Sequence, residues 1–117
     1  MAQPARRSGA SDDSGRERSN ADLLQAAYRG DLAAARAAIA NGADVNVVHE
    51  QTGMSALHLA IGTNNLALTR YLVGEAKASI VPDRSGRWPT LIAAQCSVSE
   101  ELADYIVEEE ANNTAQR

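Results

Sequence analysis

The 117-residue chain is 44% hydrophobic but holds no Phe, one Trp and three Tyr, so it can bury one small core filled by Leu, Ile, Val and Ala at close separations. Its formal net charge of −4 argues against duplex nucleic acid as a partner, since phosphate binding needs a basic patch that releases counterions. A single cysteine, Cys96, allows no internal disulfide and no apolar run approaches a membrane span, so the expected setting is the reducing cytoplasm, with no membrane partner.

Residues 1–19 carry four Arg, two Asp and one Glu among Ser, Gly, Ala and Gln. Such a segment cannot offset its ordering entropy, and a disordered N-terminal arm is expected there. Arg6-Arg7 is followed by polar residues where an export signal would need an apolar run.

From Asn20 the pattern becomes helical. Asn20 or Asp22 can cap a helix carrying Leu23, Leu24, Ala26 and Ala27, which Gly30 ends. Asp31 opens a second helix, Leu32 to Asn41, rich in alanine and broken by Arg36 and Ile39, and Gly42 supplies a left-handed stop. Asp44 and Asn46 can then bond backbone groups as the chain turns outward.

The next unit opens at Gly53 with a turn, and Ser55 caps a short helix, Ala56 to Thr63, whose Leu57, Ala60 and Ile61 share a face. A helix from Leu66 to Ala76 follows, burying Leu68 and Leu72 beside Tyr71. The third unit begins at Asp83-Arg84-Ser85-Gly86, with Pro89 at the first helical position, where no N–H is needed. Its second helix starts at Ser99 and buries Leu102, Tyr105 and Ile106. Tyr71 and Tyr105 are 34 apart while the small residues Ala60 and Ala93 are 33 apart, which places one inserted residue in 95–99. Glu108-Glu109-Glu110 puts anions at a helix C-terminus, so the helix is expected to fray there and 112–117 to form a flexible tail.

Three stretches share one plan. Ser55-Ala56-Leu57-His58 with Ala60-Ile61 resembles the T-P-L-H-x-A-A signature of the ankyrin repeat, and Gly42-Ala43-Asp44-Val45-Asn46 matches the end of such a repeat. Small residues at 26, 60 and 93 lie 34 and 33 apart, against a family period of about 33. The resemblance implies an all-α solenoid of helix-turn-helix units joined by hairpin-like β-turns, with about three repeats at 20–46, 47–81 and 82–111. It further implies a non-enzymatic module that holds a protein partner on a concave face of turn tips and first helices. Carried over by position, that face comprises Tyr28 and Arg29; Glu50, Gln51 and Met54; Thr63; Arg84, Ser85, Arg87 and Trp88; and Gln95. Trp, Tyr, Met and Arg are the types enriched at interface centres. The sequence departs from the family at Thr90-Leu91 in place of L-H, at Lys77 in place of Gly, and at Ile80-Val81 in place of V-N.

No catalytic constellation stands out. Ser55 and His58 have the spacing of a cap and its reciprocal partner rather than an activated pair, and the resemblance assigns this His to tying adjacent turns together. His49 reads as a solvated loop residue, Cys96 as a small packing residue, and Glu108 to Glu110 as a solvated helix end. No phosphate loop, metal-ligand spacing or cofactor motif is present in the sequence. The alternatives are a homo-oligomer built through an uncapped C-terminal repeat, and a regulatory subunit or fragment of a larger enzyme.

Overall fold

The structure is a computed structural model that describes the backbone of residues 3–115 and the side chains of 15–113. Among the described residues six α-helices form three pairs: α1 (Gln3–Arg29) with α2 (Leu32–Ala40), α3 (Ala56–Gly62) with α4 (Leu66–Arg70), and α5 (Pro89–Gln95) with α6 (Glu100–Ala115). A π-helical segment, Tyr71–Glu75, continues α4. Contacts of α1 with α3 and of α3 with α5 stack the first helices into one layer; α4 meets α6 in the other. Hairpin-like turns project between pairs, the first closed by an antiparallel bridge between Val48 and Ser55.

The core follows the helical spacing of the apolar residues. Leu23, Ala26, Ala27, Leu57, Ala60, Ile61, Ile92 and Ala93 line the first helices and Leu68, Leu72, Leu102 and Ile106 the second, all buried. The alanines let neighbouring helices approach closely where larger side chains would hold them apart.

Each second helix begins with a polar cap. Asp31 accepts from Ala34 N at 3.0 Å, Asn65 from Leu68 N at 2.9 Å and Ser99 from Leu102 N at 3.2 Å. A left-handed residue precedes each cap: Gly30, Asn64 and Ser97. Asn64 and Ser97 are 33 apart whereas the caps Asn65 and Ser99 are 34 apart, which locates the third repeat's extra residue between Ser97 and Ser99, inside the expected window.

A second insertion was not evident from the spacing of the motifs. Gly42, at φ 104°, ends α2, and Ala43 N donates back to Ala38 O. The equivalent stop in the second repeat is Lys77, at φ 60°, and there Ala78 N reaches Leu72 O, one residue further back. The surplus residue is absorbed by the π turn, where Ala76 N bonds Tyr71 O. One extra residue in a helix is commonly accommodated as such a bulge.

Two helix boundaries differ from expectation. Helix α1 starts at Gln3, not at a cap on Asn20 or Asp22. Asn20 Oδ1 instead accepts from Asp44 N at 2.7 Å, and the buried Ser19 donates to Asn41 O, so both side chains bind the end of α2. Backbone helix thus runs through 3–18, where composition argued for an unordered arm; side chains 15–18 are exposed, and those of 1–14 lie outside the described residues. At the other end, α6 continues to Ala115 through the Glu triplet. Glu110 Oε1 accepts from Thr90 N at 3.1 Å and Thr90 Oγ1 at 2.8 Å. The triplet is therefore not merely a solvated helix end: α6 brings Glu110 to the start of α5, where a carboxylate is favourable and Trp88 offers no side-chain cap. Of the expected tail, 112–115 is helical and residues 116–117 lie outside the description.

Lys77 sets a stability test. A Cβ in the left-handed region costs about 1 to 2 kcal/mol, and a cation at a helix C-terminus returns about 0.3 to 1 kcal/mol. Lys77→Gly is therefore expected to raise unfolding stability by about 0.5 to 1 kcal/mol, measured as a higher denaturant midpoint at unchanged slope.

Candidate functional site

The turns between the helix pairs stack on one another. Gly53 has φ 74°, and a Cβ there would lie 2.5 Å from Arg84 Cβ, so glycine is needed both for the conformation and for the approach of the next turn. Arg84 N donates to Gly53 O at 2.9 Å and Arg84 Nη1 to Glu50 O at 2.9 Å.

Each turn closes on an acceptor side chain at its first position. Asp83 Oδ1 accepts from Ser85 N and Arg87 N, each at 2.9 Å, and Oδ2 accepts from Arg87 Nε at 2.9 Å. In the preceding turn His49 takes this role: its Nδ1 accepts from Gln51 N at 3.2 Å and Thr52 N at 3.3 Å. His49 is thus a turn-forming residue and not the merely solvated one expected. That role requires its Nδ1 to be unprotonated.

His58 joins the two turns to α3. Its Nδ1 lies 2.7 Å from Ser55 Oγ and accepts from Ser55 N at 3.4 Å, while Ser55 Oγ accepts from His58 N, completing a capping box. Nε2 donates to Arg87 O at 3.1 Å, which fixes the tautomer with the proton on Nε2. The pair is thus a cap and an inter-turn tie, as the residues implied. Burial pushes the His58 pKa below the ordinary value of 6.5, against the opposing pull of the Arg87 carbonyl and the Asp83 carboxylate. For Asp83, burial pushes upward, but the Arg87 amide, the Arg87 guanidinium and the Ser85 amide outweigh it and hold the carboxyl below its usual range.

Between α1 and the first turn lies an apolar groove of about 630 Å³, lined by Ala21, Leu24, Gln25, Tyr28, His49, Thr52, Met54 and Leu59. Two of the residues singled out from sequence, Tyr28 and Met54, meet there. Tyr28 is 69% exposed and Trp88 40% exposed. Glu50, Gln51, Arg84 and Ser85 are exposed on the turns, while Arg29, Thr63 and Gln95 are exposed at the ends of the first helices. Arg87 is only partly exposed and is spent on Asp83. Leu24 and Leu59 were missed as groove residues; the available signal was an apolar side chain beside, rather than on, the buried stripe of its helix. Cys96 is a free, exposed thiol, and its Sγ lies 3.8 Å from where a Cβ on Gly62 would sit.

Among the described residues no three His, Cys, Asp or Glu side chains gather as a metal site would require, and no helix is long and apolar enough to cross a membrane. The family model for ankyrin repeats, in three copies, matches residues 23–117. No curated protein matches the chain.

The buried, neutral His58 makes stability pH-dependent. Its folded pKa is lower than its unfolded one, so the unfolded chain binds more protons in acid and stability is lost as pH falls below about 6.5. Asp83 acts in the same direction at lower pH. The denaturation midpoint is expected to fall between about pH 7.5 and 5.5, and His58→Asn to lower it at the upper pH while flattening the slope. A wild-type midpoint constant across that range would contradict the assignment.

Proposed function

Because the chain belongs to the ankyrin-repeat family, whose repeats are in general protein–protein interaction modules and typically non-enzymatic, we propose that it acts by holding a protein partner on its concave face. The mechanism is stoichiometric: the chain masks, positions or bridges its partner without a chemical step. Cytoplasmic residence is part of the same reading.

The observation that carries the reading is the apolar groove in which Tyr28 and Met54 meet beside Leu24 and Leu59. An exposed Tyr at the mouth of an apolar cleft supplies a large contact area with few rotatable bonds to immobilise. Trp88 lies in the next repeat, at the start of α5, and is 40% exposed. Arg84 and Arg87 are already engaged with Glu50 O and Asp83, so they serve the partner chiefly by shaping the turn.

Purification of the retained protein followed by titration tests this. Tyr28→Ala combined with Trp88→Ala is expected to weaken capture by roughly thirtyfold, since loss of an interface anchor costs about 2 kcal/mol or more. The melting curve should stay nearly unchanged, because both side chains are substantially exposed. Full retained affinity in the double variant would place the partner elsewhere.

A further inference from the structure

The outer face of the third repeat differs from the same face of the second in a patterned way. Ile61 on α3, with Thr69 and Val73 on the second helix, is buried in the stacked array. The residues at the same places in the third repeat are Ala94, Ala103 and Val107, and Val107 is 49% exposed. His58, which bonds the next turn, is replaced by Leu91, which is 43% exposed. Asn64, whose Oδ1 accepts from Ser99 N at 2.8 Å, is replaced by Ser97. The side-chain ties that His58 and Asn64 make to a following repeat are therefore gone, while an apolar stacking surface remains.

The charge at this face is also inverted. Arg36 lies 4.7 Å from the Tyr71 ring centre and Arg70 lies 5.5 Å from that of Tyr105, so each repeat offers an Arg to an aromatic ring of the next. In the third repeat that Arg position is Asp104. Glu100, Asp104, Val107 and Glu108 form one exposed stripe at helical spacing, and α6 contains no basic residue. An element seated here needs an apolar face for Leu91 and Val107 and a cation where Tyr71 and Tyr105 stand in the preceding junctions.

We propose that the outer face of the third repeat is a second interaction surface, and that it takes a basic amphipathic helix of a partner protein. The apolar stripe of that helix covers Leu91, Ala94 and Val107, and its Lys or Arg residues pair with Asp104 and Glu108. A second copy of the chain fits poorly. Stacked head to tail, it would bring Ala37, the first-repeat counterpart of Tyr71, to Asp104; paired face to face, it would set one carboxylate stripe against another.

The test uses the full chain and three synthetic 18-residue peptides: a helical one with a leucine face flanked by lysines, its glutamate-flanked counterpart, and a scramble of the first that keeps its composition but has no apolar face. Trp88, the only tryptophan, lies at the start of α5, one turn from Leu91, and reports binding by its fluorescence. The lysine peptide is expected to bind and the other two to bind at least about tenfold more weakly. Asp104→Arg and Val107→Glu should each weaken the lysine peptide by about tenfold, with unchanged circular dichroism melts because both side chains are exposed. The proposal is overturned if the lysine peptide does not bind, if the scramble binds equally, or if neither substitution changes its affinity. It is also overturned if sedimentation across a concentration range shows dimers that Val107→Glu abolishes, because the face then belongs to a second copy.

Discussion

The hydrogen bond from His58 Nε2 to Arg87 O, spanning 29 residues, is the contact on which the packing of the stacked turns against α3 depends. It is useful only because both ends are already held. Ser55 orients the imidazole through the capping box, and Asp83 closes the turn that presents the Arg87 carbonyl. Gly53, with no Cβ, lets the second turn settle on the first closely enough for Arg84 N to reach Gly53 O. A buried polar network of this kind is strong when every member is satisfied and costly when one is removed. Here no buried side-chain nitrogen or oxygen among the described residues lacks a partner.

The second helices are joined by different chemistry. Where the turns use backbone carbonyls and a buried imidazole, this layer uses Arg36 over Tyr71 and Arg70 over Tyr105, near the surface. The ion pair between Arg36 and Glu75 is exposed on both sides and contributes little by itself. The hydrogen bonds between the two turns therefore lie on the side that carries the groove.

The caps show how one structural need is met by unrelated residues. The first position of a turn is filled by His49 in one repeat and Asp83 in the next, each accepting two backbone N–H groups. The start of α3 is capped by its own Ser55, whereas the start of α5 is capped by Glu110 from the end of α6. What is preserved is an acceptor at a defined point, because an orphan amide is costly whichever side chain satisfies it.

Much of the fold was legible in the sequence because a repeat protein is locally encoded. The caps at Asp31, Ser55 and Ser99, Pro89 at the start of α5 and the alanines at 26, 60 and 93 all act within a few residues of themselves, and the resemblance to the repeat placed Lys77 where a helix stops. The one-residue insertion before α6 was visible for the same reason. Tertiary structure decided whatever depends on partners from another element. The π turn absorbs a residue that the positions of neighbouring motifs did not reveal. Glu110 becomes a cap because α6 returns to the start of α5, and the groove exists because Tyr28 and Leu24 face Met54 and Leu59 across a repeat boundary. Arg84 and Arg87 looked like surface side chains awaiting a partner; the stacking of the turns brings Glu50 O to Arg84, while Arg87 is held by Asp83 within its own turn, and each acceptor at 2.9 Å satisfies a guanidinium that the sequence shows only as a charge.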